Sequence, residues 1–471
     1  MGNQPQKAPK SAPKGAPKTA PKAAPAPDPN GPVNVALLGA RGHGRKHLDA
    51  FLADPLCRVG YICDVDLAVG TTAAKHAKKR SGLLPNVVQD FREALADEAV
   101  DAVSIALPHH WHAPAAIWAL QAGKHVYLEK PTTHVHSEAA PLEAAHQKHP
   151  GFVQAGTQLR SNTGLQRAAE FMQSGGIGDI DLVHCITYKP RASMPDTGPA
   201  QIPPTVDYDM WCGPAEKTDP TRSRFHYHWH WFWEFGNGAL GNNGIHRMDV
   251  ARIGLGLEGL GDEVLSFGGR FGPADAGETP NSHIVIHRFG DTWVVHEIIG
   301  MPTGAHLGIQ NGVVFHGSTG AVAYVNGKTS VIDDRGEVVQ AFTGRQDNHY
   351  TNFLEAVTSR DETKIAGNLA ESNISSSLCH LGNISYRTGE TAADGDVDAA
   401  VDAMGAPPEV QRMRSRLRLN VVANGENGDF VLGRRLDLGD MAAPIVNDAA
   451  AERLLTKSYR DPYGVPAADQ V

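Results

Sequence analysis

The sequence lacks any run approaching the roughly 20 continuous apolar residues needed to cross a bilayer, so no membrane span is expected. Its first residues lack the apolar stretch of a secretory signal, which makes a cytoplasmic protein the expectation. Cysteine is scarce. Cys57, Cys63, Cys185, Cys212 and Cys379 are odd in number and never form a C-x-x-C pair. That argues against a disulfide framework and a cysteine zinc site, and it suits a reduced compartment. Positive charge is not in excess. A formal net charge of −9 gives no general reason to expect nucleic-acid binding. What the chain has is length: 471 residues exceed one ordinary core and imply two domains plus extensions.

The texture changes three times along the chain. In residues 1–32, Lys7, Lys10, Lys14, Lys18 and Lys22 recur in an Ala/Pro background. Such a segment cannot bury enough apolar surface to offset its ordering entropy, so it reads as a disordered tail. A plain solvating tether is the simplest reading; a basic tail also suits an acidic surface, a membrane or nucleic acid. Residues 33–157 alternate short apolar strands with helices: Val33–Leu38, Arg58–Cys63, Ala102–Leu107, His125–Leu128 and Phe152–Ala155 as strands, Ala68–Arg80 and Pro114–Ala122 as helices. That alternation predicts an α/β fold, a doubly wound parallel sheet with right-handed crossovers. Residues 158–392 carry longer runs, several with period-2 alternation: Asp181–Tyr188, Ser282–Phe289, Thr292–Ile299, Gly312–His316 and Ala321–Val325. They predict an α+β domain with a large, mostly antiparallel sheet, flanked by helices at Leu165–Ser174, Asn352–Thr358 and Glu371–Tyr386. Residues 393–471 form an extension expected to pack on the core or on a neighbouring subunit.

The first strand runs into Gly39-Ala40-Arg41-Gly42-His43-Gly44. A tight turn there lets backbone amides and a helix N-terminus meet a pyrophosphate. The pattern G-x-G-x-x-G is met at its first and third glycines, Gly39 and Gly44, with Arg41 at the second. Asp64, 25 residues past Gly39, ends the second strand. A carboxylate there can accept the ribose hydroxyls of NAD and repels the 2′-phosphate of NADP, so NAD is expected over NADP. The plainer alternative is a tight strand–helix turn with Asp64 as a helix N-cap.

Gly39–Gly44 with His47, Cys63-Asp64-Val65-Asp66, Trp111-His112 and Glu129-Lys130-Pro131 resemble the Gfo/Idh/MocA oxidoreductase family, which includes glucose–fructose oxidoreductase and inositol dehydrogenase. The likeness continues through Gly238–His246 and covers roughly residues 33 to 390. It implies an NAD-dependent enzyme acting on CH–OH groups of a carbohydrate, and a homo-oligomer whose second-domain sheet pairs with another subunit. It also implies a cofactor site drawn from Gly39, Arg41, Gly42, His43, Gly44, Asp64, Pro108, His109, Trp111, His112, Glu129 and Lys130. In the family, the lysine works with a histidine that follows an acidic residue by four positions. Those positions are His246 and, in a departure, Asn242, which can neither take a proton nor hold an imidazolium by charge. Lys130 then carries more of the proton transfer, with His246 as partner or relay. An amine desolvated beside a cationic nicotinamide has its pKa pushed down, which suits that task. The plain alternatives are a surface lysine and a core histidine. Pro131 allows a cis peptide.

Residues 225–235 read Phe-His-Tyr-His-Trp-His-Trp-Phe-Trp-Glu-Phe. On a strand, His226, His228 and His230 would share a face and could bind zinc or copper. They lack cysteine or carboxylate companions at usual spacing, so no metal is assigned. The preferred reading is a sugar site in which Trp229, Trp231 and Trp233 offer flat faces, joined by Tyr188, Lys189, Arg191, Asn242 and His246. Core packing is as good an account of any single tryptophan. Three functions follow: an oxidoreductase, a glycosidase or lyase that recycles tightly bound NAD through a keto-sugar, and a non-catalytic sugar- or cofactor-sensing module.

Overall fold

Six short apolar strands build the first sheet: Val33–Leu38 (β1), Cys57–Cys63 (β2), Asn86–Val88 (β3), Ala102–Ile105 (β4), His125–Leu128 (β5) and Val153–Ala155 (β6). In the computed structural model they pair in the order β3-β2-β1-β4-β5-β6, every pair parallel. β1 is buried along its whole length, as a strand covered on both faces must be. The strand order reverses between β1 and β4, which opens a crevice at the carboxyl ends. The structure describes residues 31–471 except 195–198, 200, 221–224, 274, 275, 334, 427 and 447. The tail expected to be disordered thus falls, but for its last two residues, outside the described residues. β3 was not legible as a strand: its three residues pair only along β2, at the sheet edge.

The second sheet has twelve strands. Ile180–Tyr188 (β7), Glu263–Gly269 (β8), Ser282–Phe289 (β9), Thr292–Ile299 (β10), Asn311–Gly317 (β11), Gly320–Val325 (β12), Lys328–Ile332 (β13) and Val338–Phe342 (β14) form its body. Glu390–Ala392 (β15), Phe430–Leu432 (β16), Leu436–Leu438 (β17) and Ile445–Val446 (β18) extend one edge. All named pairs are antiparallel except β7 with β10. Side chains on β7 alternate between two cores. Val183 and Cys185 face the helices Thr163–Gln173, Ile245–Leu255 and Leu369–Arg387; Leu182, Ile186 and Tyr188 face the other way.

That other face carries this chain's own helices, Asp394–Met404 and Pro408–Ala423, through Val397, Val401, Met413, Leu417 and Val421. Each of these buried side chains contributes roughly 1.5–3 kcal/mol of burial. The last residues then return to the first domain. Tyr459 donates to Glu138, Arg460 binds Asp209 and the Gly213 carbonyl, and Tyr463 packs on Trp111 and Trp118.

Under the helix Leu369–Arg387 lie three buried histidines, His283 and His287 on β9 and His296 opposite Val285 on β10. Among the described residues none of their ring nitrogens has a hydrogen-bond partner. Burial pushes His283 and His287 down to about 3. Because their folded pKa lies below the unfolded value near 6.5, the unfolded chain binds more protons through this window. The stability they allow is complete above pH 6.5 and is lost as pH falls toward 3, at about 1.4 kcal/mol per pH unit for each histidine. Urea unfolding between pH 6 and pH 4 will show this slope, and the double variant His283→Leu/His287→Leu will flatten it by nearly twice that amount. An unchanged slope contradicts the placement of these rings.

Candidate functional site

β1 ends at the glycine turn. Gly39 has φ +83°, and a Cβ there would lie 2.6 Å from the Ala106 carbonyl oxygen. A Cβ at Gly44 would lie 1.9 Å from the Gly39 oxygen, so the helix His43–Ala53 can leave the strand this tightly only with glycine at both places. Gly42, at φ +58°, is the N-cap, and no side chain caps the helix. The Gly44 N–H is taken by the Arg41 carbonyl at 3.1 Å, which leaves the Gly42 and His43 N–H groups, at the open end of the helix, to meet an anion. The exposed Arg41 and Gly42 border a groove completed by Arg45, Val69 and Thr72.

Asp64 is buried at the end of β2. Its Oδ2 accepts the Ala40 N–H at 2.9 Å and its Oδ1 accepts the Asp66 N–H at 3.0 Å. Burial raises its pKa against the pull of those two amides. The alternative of Asp64 as N-cap is corrected: Asp66 caps the next helix, accepting from the Ala68 N–H, and also binds His226 and Thr205. A helix N-terminus without a side-chain cap, a groove beside it and a carboxylate at the neighbouring strand end fit a dinucleotide.

Glu129 ends up elsewhere than its grouping with the cofactor residues suggested. Its Oε1 accepts from Gln158 at 3.0 Å and contacts the His47 ring at 3.1 Å and the His43 ring at 3.3 Å. Its Oε2 accepts the Lys130 backbone N–H at 3.1 Å. Burial alone would raise its pKa; the bonds from His43 and His47 outweigh it and hold Glu129 well below the usual carboxylate range. His43, His47 and Glu129 are the metal-capable trio among the described residues, but they already satisfy one another. Glu129 is a brace beneath the turn.

The brace fixes the start of Lys130, whose peptide to Pro131 is cis. The Lys130 ammonium donates to the Asn242 carbonyl oxygen at 2.7 Å and lies 3.3 Å from Asn242 Oδ1. Asn242 sits in a π-helical stretch, Leu240–Gly244, ahead of the helix Ile245–Leu255. Such a widened turn breaks the regular i→i−4 ladder and is common at functional sites. Burial lowers the Lys130 pKa; Glu129 opposes this and the Lys189 charge adds to it. His246 is half-buried, and among the described residues neither of its ring nitrogens makes a hydrogen bond. Burial and then the Lys130 charge hold it well below its ordinary value, so it is neutral.

The segment after β4 divides in two. Pro108 opens a short turn by accepting the Trp111 N–H. His109 is buried, binds Asn237 at 2.9 Å, and meets Trp229 edge-on at 4.8 Å. His112 bridges the Pro131 and Leu107 carbonyls at 2.5 and 2.8 Å, positioning the strand end that carries Lys130. Trp111 is a correction. Its Nε1–H donates to the Met210 carbonyl, and its ring is walled by Phe91, Trp118 and Tyr463. It is core, facing away from the crevice.

The aromatic segment is helical, Phe225–His228 followed by Trp229–Trp231, so its three histidines do not share a strand face. His226 turns to Asp66, while His230 stacks on Trp229 at 3.6 Å. Trp231 lines a cavity with Lys189 and Arg191. Trp233 does not: its ring lies under Arg387 and its N–H binds Glu278. Tyr188 is a second correction. The strand alternation sends it to the outer face, where it donates to Glu297 at 2.5 Å. Its neighbour Thr187, which the sequence reading passed over, faces the cavity instead, with Asn243 and Arg270.

The Gfo/Idh/MocA profile described as "Oxidoreductase family, NAD-binding Rossmann fold" matches residues 33–157. The companion "Oxidoreductase family, C-terminal alpha/beta domain" matches residues 192–268. The levoglucosan dehydrogenase of Pseudarthrobacter phenanthrenivorans is 27% identical over 238 residues, which is 50% of this chain and 54% of that protein. The alpha-N-acetylgalactosaminidase of Shewanella oneidensis is 33% identical over 103 residues, 21% of this chain and 22% of that protein. The chain thus spans about half the length of the first relative and about a fifth of the second. Among solved structures, the WlbA dehydrogenase from Bordetella pertussis, in complex with NADH and UDP-GlcNAcA, shares the fold. Its TM-score is 0.53 at 18% identity, over 74% of this chain and 96% of that one. With its parallel Rossmann sheet and its Glu129-Lys130-Pro131 strand end, the chain belongs to the Gfo/Idh/MocA oxidoreductase family.

Proposed function

We propose that this chain is an NAD-dependent oxidoreductase moving a hydride to or from a sugar, polyol or sugar derivative. The observation that carries it is the Lys130 ammonium, buried at the end of β5 and fixed 2.7 Å from the Asn242 carbonyl in a Rossmann protein. Bound NAD would supply the hydride acceptor or donor. The Gly42 and His43 amides at the helix N-terminus would hold its pyrophosphate and Asp64 its ribose, which favours NAD over NADP. The remaining work falls to the chain's own side chains. Its lowered pKa makes the neutral amine of Lys130 accessible; as the amine it takes the hydroxyl proton while a carbonyl forms, and as the ammonium it returns the proton in the reverse direction. Asn242 orients Lys130 and takes no proton. Neutral His246, its ring nitrogens uncommitted, hydrogen-bonds a substrate hydroxyl. His109 and His112 act on position only. The likeness to a levoglucosan dehydrogenase and to a dehydrogenase in complex with NADH and UDP-GlcNAcA supports the carbohydrate reading.

One observation favours a second reading. An amide at Asn242 in place of the family's acidic residue, and the likeness to an alpha-N-acetylgalactosaminidase, suit transient oxidation followed by loss of a glycosidic bond. Solvent deuterium at the carbon beside the oxidised one, without net NADH, would select it.

Lys130→Met will cut kcat/KM on the best sugar by about 100-fold or more while leaving NADH affinity nearly intact. Unchanged turnover removes Lys130 from the mechanism. Tyr188→Phe will cost about 1.5–3 kcal/mol in urea unfolding, the worth of a hydrogen bond to a charged group, with kcat and KM unmoved. A selective rise in KM would return Tyr188 to the substrate site.

A further inference from the structure

The cavity beside the reacting lysine carries more positive charge than a neutral sugar needs. It encloses about 170 Å³ and is lined by Thr187, Lys189, Arg191, Trp231, Asn243 and Arg270, with Glu426 the carboxylate among the described residues of its wall. Asn243 directly follows the residue that anchors Lys130, so the cavity adjoins the proposed reaction centre. Its inner wall is polar and unsatisfied. Thr187 is 2% exposed, and among the described residues its hydroxyl has no hydrogen-bond partner; the buried Asn243 Nδ2 has none either. Buried polar atoms are rarely left orphaned without a reason, and a ligand hydroxyl would satisfy both.

The outer wall is cationic, and its guanidinium groups are held in place. Arg191 donates to the Tyr227 hydroxyl at 2.9 Å and lies over the Trp231 ring at 4.9 Å. Arg270 donates to the Thr279 carbonyl at 2.9 Å. The side-chain ammonium of the exposed Lys189 makes no hydrogen bond or ion pair among the described residues. Burial lowers its pKa, and the charges of Arg191 and Lys46 lower it further. Crowding the Lys189 and Arg191 charges together is unfavourable unless an anion joins them, and a concave wall carrying them concentrates such a ligand.

We propose that this cavity takes an acidic carbohydrate. Its hydroxyls meet Thr187 and Asn243, its ring lies on Trp231, and its carboxylate or phosphate sits against Lys189, Arg191 and Arg270. The inference rests on the oxidoreductase reading for the site's turnover, but the binding it describes can be measured without any chemistry.

The full chain, saturated with NADH, is titrated calorimetrically with D-glucose, D-glucuronate and D-glucose 6-phosphate. At least one acid will bind about tenfold or more tightly than glucose, a gap of one decade in Kd, and the tighter acid identifies the anionic group. The double variant Lys189→Met/Arg191→Gln will erase that gap without changing NADH affinity. Thr187→Val will weaken all three sugars alike. Equal binding of glucose and both acids, binding of neither acid, or a preference that survives the double variant overturns the proposal. An acid preference without NADH formation from any sugar retains this inference and defeats the redox reading. Oxidation of neutral sugars with no acid preference does the reverse.

Discussion

Glu129 places a carboxylate in the protein interior, where an uncompensated charge would cost several kcal/mol. Here it is surrounded by partners from separate parts of the chain. His43 and His47 come from the first helix, the Lys130 amide from the end of β5, and Gln158 from the turn beyond β6. Gly156 leaves room for it, since a Cβ there would lie 2.6 Å from Glu129 Oε1. The glycine turn, the lysine-bearing strand end and the entry to the second domain therefore share one electrostatic anchor. Substituting His43, His47 or Gln158, the three side-chain partners, would leave the carboxylate short of a donor. The geometry of the nucleotide turn and that of Lys130 are thus coupled through one buried carboxylate.

The second domain contributes through strand polarity. β7 presents Thr187 to the cavity and Tyr188 to the opposite core, so adjacent residues serve chemistry and stability separately. On the opposite face, Glu297 gathers His184, Tyr188 and Arg416, which pins the helix Pro408–Ala423 to the sheet. Burial opposes the ionised form of Glu297, but its hydrogen bonds to His184 and Arg416 hold its pKa down to about 2. The C-terminal segment thus covers the sheet and then, through Arg460 and Tyr463, braces the region under Trp111.

Much of this was legible in the residues. Period-2 runs marked β9 and β10 to their ends, and the Rossmann strands lay within two residues of their expected limits. The place of Asp64, just past the end of the second strand, was legible because α/β sheets put ligands at the carboxyl ends of their strands. What escaped depended on distant partners. Trp111 reads as a site residue until Tyr463, far along the chain, closes over it. Residues 225–231 are rich in aromatics, which favour strands in general, yet their packing against His109 and Asp66 takes a helical form. Tyr188 and Thr187 could not be separated, because alternation gives two faces without saying which one meets the cavity. The π-helical turn that aims the Asn242 carbonyl at Lys130 has no sequence signature of its own.

The account stands on a nicotinamide dinucleotide held between the glycine turn and Asp64. Titrating the intact chain with NADH and NADPH, read by energy transfer from its tryptophans to the nicotinamide, tests this most directly. The account predicts saturable NADH binding at least about tenfold tighter than NADPH, with Asp64→Ala abolishing the discrimination. Binding of neither nucleotide, or a preference indifferent to Asp64, would contradict it.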